Sequence, residues 1–404
     1  MERNARTVDW VVFGFMWQEV SLELFKGISK LFINPLFYVA ILFAVLLGYV
    51  RVKRERRSFR TRILWGWTEM KRMFADIWIF AIILSILSIG IGLTLTTDWI
   101  AMYSIISAFL VVLFMYQLGS PIVAGALAIG AMWIGYKTNQ TFSILNFEWF
   151  GEMNWIQLSL PVVLIMGAAV IVEGFLISKT GAESASPLLE RSSRGLTAAS
   201  YLSKRLWMIP LLVIVPGDVI QEFTPYWPQF TFGSESFGLV LFPVVIGYQQ
   251  KARRSLPVNL FPKLGMSVVA VGIGTVILSL SALWFPVMAA ISLVLGAIAR
   301  ISVWMYFAIK ERQGNHAVTP KDLGVMIAGV LPDSPAEKMG LLIGECIRKV
   351  NGQSVSNERE LYEAIQINAA HCRLEVLDYQ GEVRLRQHVI YRHDHHRLGL
   401  LVVR

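Results

Sequence analysis

Residues 322–355 read DLGVMIAGVLPDSPAEKMGLLIGECIRKVNGQSV, and this stretch decides the fold of the end of the chain. An apolar, strand-like run stops at Val330, and Pro332, Asp333, Ser334 and Pro335 are turn formers. PAEKMG predicts a short helix closed by Gly340. CIRKVNGQSV predicts a hairpin, because Asn351 and Gly352 accept the positive backbone angles of a two-residue turn. NERELYEAIQ then starts with Asn357 as a helix cap and places Leu361, Ala364 and Ile365 on one apolar face. Strand-like runs at 373–378 and 382–390 are joined through Gln380 and Gly381, and a last apolar run, LGLLVV, follows. Alternating short strands and two small helices describe a mostly β, α+β water-soluble domain over 318–404.

Upstream of a linker at 310–317 the chain changes character. Across the 404 residues, 55% are hydrophobic, 16% are charged and mean hydropathy is +0.55. A soluble protein carries about 25% charged residues. The apolar excess lies before residue 310 and predicts a polytopic α-helical membrane domain over 33–309. All six histidines (His316, His371, His388, His393, His395, His396) and both cysteines (Cys346, Cys372) lie beyond it. A membrane-embedded histidine or metal enzyme would therefore lack its side chains. Two cysteines make no disulfide framework and fit a reducing cytoplasm. Residues 10–17 are apolar but lead into Glu19, Glu23, Lys26 and Lys30 rather than a cleavage site, so no cleavable signal peptide is expected.

A bilayer crossing needs about 20 apolar residues, with about 17 tolerated. Runs at 33–50, 77–97, 99–118, 121–136, 156–178, 264–284 and 286–308 meet or approach this length. Two shorter runs, 206–220 and 237–248, are interrupted by Pro210, Pro216 and Pro243. They predict crossings, tilted segments or a re-entrant hairpin buried against the other helices. Seven to nine spans result. Residues 1–32 predict an amphipathic surface helix, with Val20, Leu24, Ile28 and Leu31 at helical spacing.

Loop charge sets the orientation. The stretch RVKRERRSFRTR, residues 51–62, carries Arg51, Lys53, Arg54, Arg56, Arg57, Arg60 and Arg62 against one glutamate, and Lys71 and Arg72 follow within the 51–76 loop. Such a loop is expected in the cytoplasm, facing anionic lipid. The basic loops 179–205 and 249–263 fall on the same side, while 97–98, 137–155 and 221–236 are poor in positive charge. The C-terminal domain is then cytoplasmic and the extreme N-terminus outside. The net charge of +9 is read as topology and lipid attraction, not nucleic-acid binding.

Glu173 and Asp218 are the acids deepest in apolar sequence. Interfacial or packing roles are expected for both, with an ion or proton pathway as the alternative. Gly125, Gly130, Gly135, Gly272 and Gly274 are read as points of close helix approach. The run His393–Asp394–His395–His396 is expected to be a solvated loop, since no second cluster completes a metal site. No cofactor and no catalytic residue is expected.

The succession SPAEKMGLLIGECIRKVNGQSV followed by a helix resembles the bacterial PDZ domains over about 318–404. The resemblance implies binding of an extended peptide as an added strand, often at a free C-terminus held by a Gly-Leu-Gly-hydrophobic loop. Two stretches compete for that loop: Leu323, Gly324 and Val325, and the preferred Leu398, Gly399 and Leu400. Leu361 and Ile365 would line the groove. Neither stretch has the full glycine-first pattern, so an internal peptide segment is the other candidate ligand.

NPLFYVAILFAVLLGYVRVKRERRSFRTR, residues 34–62, before a many-spanning domain and one C-terminal PDZ, resembles the MinJ-like family of division-site regulators in Bacillus-type bacteria. The resemblance implies a non-enzymatic adaptor at division septa and cell poles, linking a DivIVA-type polar scaffold to the MinC-MinD division inhibitor. DivIVA-like, MinD-like and other division proteins and membrane lipid are the implied partners. Intramembrane zinc or serine proteases also carry PDZ domains, but no histidine precedes residue 316 to build such a site. A transporter with a regulatory PDZ domain, resting on Glu173, Asp218 and the proline-broken runs, is the rival reading.

Overall fold

The computed structural model describes residues 21–138, 142–144, 147–149, 155–192, 195–221, 236–320, 324–367, 371–389 and 398–403. Helix α1 covers 21–33. Helix α2 (Pro35–Phe59) starts where the Asn34 side chain accepts the Leu36 N–H at 3.0 Å and Pro35 takes the first helical position. Then come α3 (Thr68–Ala75), α4 (Trp78–Ile91), α5 (Thr97–Val112) and α6 (Pro121–Lys137). The short strands β1 (Phe142–Ile144) and β2 (Phe147–Trp149) precede α7 (Trp155–Thr180). Strands β3 (Ser186–Arg191), β4 (Thr197–Gln221) and β5 (Ser236–Ala252) come next, followed by α8 (Pro257–Ser279) and α9 (Val287–Arg312).

Each of the seven clear apolar runs contains a helix. Among the described residues, five stretches are long and apolar enough to cross a bilayer: Pro35–Phe59, Thr68–Ile91, Leu158–Thr180, Pro257–Leu283 and Val287–Arg312. Helices α5 and α6 are shorter and also apolar. Ile79, Ile86, Ile277 and Leu283 point outward, as lipid-facing side chains do. The chain is a multi-pass membrane protein. Of the helix expected over 1–32, only 21–33 is described. It buries Glu23 and Leu31 and exposes Phe25, Phe32 and Ile33.

Of the readings open for 206–220 and 237–248, helical crossings are corrected, and pairing of the two runs against the other helices is what forms. These runs are neighbouring strands of an antiparallel ribbon, β4 against β5, with β3 added at one end. Nearly every side chain from Leu206 to Val215 and from Phe237 to Tyr248 is buried or half-buried, so both faces are covered and no polar-apolar alternation marks the strands. Backbone groups at membrane depth must be satisfied within the protein. The outer edge of β4 meets that demand: Leu212 N–H donates to Ser85 Oγ at 3.1 Å, and Ile214 C=O accepts from Leu95 N–H at 2.9 Å. Even-numbered residues of β4 therefore point their backbone groups outward. Pro210 and Pro216 occupy such positions, and Pro243 lies opposite Pro210. The three prolines thus remove only outward donors and leave the inter-strand ladder whole. Opposite ends of α4 mark the direction, with Asp76 beside Arg205 and Leu95 beside Ile214. Between Arg205 and Ile214 lies about 30 Å of strand, the thickness of a bilayer core.

Helices α7 and α8 meet through glycines at seven-residue spacing: Gly167 and Gly174 face Gly272 and Gly265, and Gly181, just past the end of α7, packs on Phe261. A Cβ on Gly174 would lie 2.6 Å from Gly265 O and from Val269 N, and one on Gly265 would lie 2.5 Å from Gly174 O. Among the glycines expected at helix contacts, Gly272 packs on Ile171 and Gly125 on Met166, whereas Gly130 and Gly274 face open space. Glu173, fully buried on α7, receives the Arg300 guanidinium of α9 (Nε to Oε1, 3.0 Å) and accepts the Ser120 hydroxyl at 2.5 Å. Three helices are thereby tied at one point. The Asp218 side chain lies outside the described residues.

The C-terminal domain consists of β6 (Val325–Val330), α10 (Pro335–Lys338), β7 (Cys346–Val350), β8 (Gln353–Ser354), α11 (Glu358–Ile367), β9 (His371–Leu377), β10 (Val383–Val389) and β11 (Leu400–Val402). Its sheet runs β10-β9-β7-β6-β11, with β8 on β7. The local signals of the sequence are realised. Ser334 caps α10 by accepting Glu337 N–H at 3.3 Å, while Glu337 accepts Asp333 N–H at 2.6 Å, a capping box. Asn351 and Gly352 hold φ of 52° and 88°, and Asn357 accepts Glu360 N–H at 2.9 Å.

Candidate peptide-binding site

Strand β6 has neighbours on both edges, β7 and β11, whereas β11 ends the described sheet. Leu331 N–H donates to Gly399 O at 2.8 Å and Val403 N–H to Met326 O at 3.2 Å, so the Leu400 and Val402 backbone groups face away from β6. That free edge is where a strand can add. On one side of it lies α11, whose Leu361 and Ile365 join Leu398, Leu400 and Val402 in the domain core. A cleft of about 460 Å³ is lined by the start of α11 (Asn357, Glu358, Arg359), Gly324 of the first candidate loop, Met326 and Val403.

The two candidate loops occupy different places. Leu398 and Gly399 lead into the terminal strand and are fixed to the SPA turn, where Leu398 C=O accepts Ala336 N–H at 3.0 Å. Gly399 has φ 81°, and a Cβ there would overlap the Ser334 side chain. A bulky residue at 399 therefore damages the turn itself, and loss of binding in such a variant would say nothing about the loop. Gly324 and Val325 lead into the interior strand, and a Cβ on Gly324 would strike the Ile347 carbonyl of β7. Leu323 lies outside the described residues.

The sheet face opposite α11 is not solvent-exposed. Met326, Ala328, Leu401 and Val403 alternate with the domain's own core residues and join the hydrophobic core of the membrane domain. Tyr201 of β4 donates its hydroxyl to Ala328 O at 3.0 Å in a buried contact. Below it, Ala199 N–H donates to Val318 O at 2.9 Å, Ala317 N–H to Arg253 O at 2.9 Å, and Glu311 Oε2 accepts the N–H groups of Arg253, Arg254 and Ser255 at 2.8, 2.8 and 3.0 Å. The linker is thus bonded to the end of the ribbon.

One of these bonds titrates. His316 Nε2 accepts Arg253 Nε–H at 2.8 Å, which requires a neutral imidazole. Burial, with the Arg253 charge adding to it, holds His316 below the usual histidine value. The folded state thus binds fewer protons than the unfolded one, and the contribution, about 1 kcal/mol, is complete above the ordinary histidine range and lost as pH falls through the lower folded value. Measured against the intrinsic, base-catalysed exchange rate, amide protection at Ala199 and Ala317 should fall on acidification from pH 7.5 to 5. His316→Gln, whose carbonyl accepts at any pH, should remove that dependence; an unchanged profile would assign it elsewhere.

The basic segment is not one surface. Lys53, Arg56, Arg57, Arg60 and Arg62 are exposed, and Arg62 stacks 3.5 Å above the ring centroid of Trp65, itself exposed with Trp67. Arg51, expected to face lipid, is instead buried: it pairs with Glu69 and with Glu55 at 3.4 Å, and donates to Trp65 O at 2.9 Å. Arg205 extends the same network, 3.5 Å from Glu69 and 3.5 Å from Asp76. Glu55 and Glu69 are why Arg51 turns inward; Glu55, at i+4 from it, was the signal in the sequence. Among the described residues no group of histidines, cysteines and acids is arranged to hold a metal, and Cys346 and Cys372 are buried thiols outside any disulfide. The His393–His396 run lies outside the described residues.

A family model for the PDZ domain matches residues 326–377. Over 389 residues, 95% of this chain and 96% of the relative, the chain is 31% identical to "Cell division topological determinant MinJ" of Bacillus subtilis (strain 168). It is 29% identical over 231 residues, 55% of this chain and 59% of the relative, to "Probable cell division topological determinant MinJ" of Lacticaseibacillus paracasei. The likeness covers the membrane domain and the PDZ domain together.

Proposed function

Because the chain belongs to the MinJ family of cell division topological determinants, we propose that it is a membrane-anchored adaptor in division-site selection. It acts by binding proteins rather than by catalysis. One partner is a DivIVA-type polar scaffold, the other the MinC-MinD division inhibitor, and the protein gathers them at septa and poles. The observation that carries this reading is the family likeness along nearly the whole chain. The PDZ domain receives a partner segment as a strand on β11, between that edge and α11, with the Leu398–Leu400 loop at one end and the cleft beside Arg359 at the other. A multi-span anchor holds this groove against the bilayer, where a weak peptide interaction gains effective concentration.

The PDZ domain faces the cytoplasm in this reading. Segments expected inside by their charge converge at one end of the helices: Glu55 accepts the Ser186 hydroxyl at 3.0 Å, Arg205 reaches Asp76, and Arg253 reaches His316. The ribbon crosses twice, so replacing two helices by two strands leaves the sidedness of every later loop unchanged. The exposed Lys53, Arg56, Arg57, Arg60 and Arg62, with Trp65 and Trp67, lie at the headgroup level of that surface.

The transporter reading loses one support, since the Glu173 carboxylate is occupied by Arg300 and Ser120. A fluorescent fusion in growing cells should concentrate at septa and poles, and deletion should change cell length. Uniform membrane fluorescence with normal cell length in the deletion strain would overturn the division reading. Arg359→Trp should fill the cleft and weaken partner binding at least about tenfold, while stability stays within about 0.5 kcal/mol because Arg359 is a surface residue. Undiminished binding would remove the groove from the proposal.

A further inference from the structure

Among the described residues, two cations at the inner end of the helices lack an ion-pair partner of their own. Arg54, on α2, and Lys204, on β4, act on each other as like charges. Among the described residues neither forms an ion pair. The acid next to Arg54, Glu55, is already engaged by Ser186, by the Ile63 N–H at 2.8 Å and by Arg51. Arg54 Nε is buried without a hydrogen-bond partner, and so is the hydroxyl of Tyr116, a residue 1% exposed. Lys204 Nζ lies 4.1 Å from the Tyr116 ring centroid and 5.5 Å from that of Phe114. Buried donors and unpaired positive charge in one place call for an anion.

The same place has an apolar side open to lipid. Phe114 is half-exposed, and its ring centroid lies 5.3 Å from that of Phe43 on α2. Phe114 also holds φ 58° just past the end of α5, a position that glycine ordinarily takes. Backbone strain of that kind persists where the surroundings require the side chain in place. Phe43 and Arg54 are eleven residues apart, about three helical turns, and so share one face of α2. Hydrocarbon contacts lie toward the bilayer and the cations toward its surface.

We propose that Arg54, Lys204 and the Tyr116 hydroxyl bind the phosphate of an anionic phospholipid whose acyl chains lie along Phe114 and Phe43. Bound this way, the lipid supplies the missing counter-charge between α2, β4 and the α5–α6 connection. This site is separate from the exposed Arg56–Arg62 surface and does not depend on the division reading.

The test uses the full chain purified in a neutral detergent, with thermal unfolding followed during titration with phosphatidylglycerol, phosphatidylcholine or inorganic phosphate. Phosphatidylglycerol should raise the melting temperature saturably, and the concentration giving half the effect should rise about fivefold in Arg54→Gln or Lys204→Gln and about 25-fold in the double variant. Lys204→Arg should behave like the parent chain, and Tyr116→Phe should weaken the response with no change in charge. Without lipid the Gln variants should be at least as stable as the parent, since each relieves the repulsion. If lipid-free stability falls instead, native mass spectrometry on Lys204→Arg and Tyr116→Phe decides: lipid retained by the first and lost from the second keeps the proposal. Equal responses of parent and double variant would overturn it, as would a phosphatidylcholine response matching phosphatidylglycerol. An equal effect of inorganic phosphate would make the ligand a water-borne anion and overturn the lipid assignment.

Discussion

Glu173→Gln should destabilise the membrane domain by about 3–5 kcal/mol, because it strands the Arg300 guanidinium in a fully buried position. The pair is not expected to add much stability over apolar side chains, since taking two charges out of water consumes most of their attraction. What is costly is a half-pair. The double variant Glu173→Gln with Arg300→Met should therefore recover most of the loss, which thermal unfolding of the purified chain and its abundance in membranes would both register. If the single variant is as stable as the parent, the pair is not what joins α6, α7 and α9. If the single variant is stable yet abolishes an ion flux, the transporter reading returns.

Gly174→Val should be at least as damaging, by about 3 kcal/mol or more. Overpacking of a tight interface costs about 1–3 kcal/mol where neighbours can move. Here the obstacles to a Cβ include backbone atoms of α8, Gly265 O and Val269 N, both at 2.6 Å, so relief requires moving the whole helix. In a membrane, helices associate through such close packing rather than through the hydrophobic effect, and loss of contact has no compensating gain from water. Gly274→Val, on α8, faces open space and should be nearly neutral, which makes it the control in the same unfolding assay. Equal effects at 174 and 274 would mean that the α7–α8 seam does not limit stability.

The parts of the fold legible in the sequence were those specified locally. Asn351-Gly352 and Asn357 fix a turn and a cap through their own backbone, and the apolar runs fix the helices by length alone. The ribbon was not legible, because a strand buried on both faces has no period of two and its prolines imitate the breaks of a short helix. Pairing between distant charges was equally hidden. Arg300 is the single charge in 286–309, which signals a partner, but nothing in the sequence nominates Glu173 over other acids. The glycine seam did leave a trace, the spacing of seven in 167, 174 and 181. Docking of the PDZ domain on β4 left none, since Met326, Ala328, Leu401 and Val403 read as ordinary interior positions of strands.

The ribbon also fixes the order in which the protein is made. Each apolar helix can enter a bilayer alone, with its backbone satisfied internally, but a lone strand from Arg205 to Ile214 would carry open N–H and C=O groups into hydrocarbon. Among the described residues, its outward groups find partners on Ser85 and Leu95, and Gly247 of β5 finds one on Gly119, all residues of helices and turns that precede the ribbon in the chain. Synthesis delivers those partners first, and β4 and β5 can close only into a cage that already stands. The PDZ domain, translated after the ribbon and seated on the near end of β4, completes its docking only once that threading is finished.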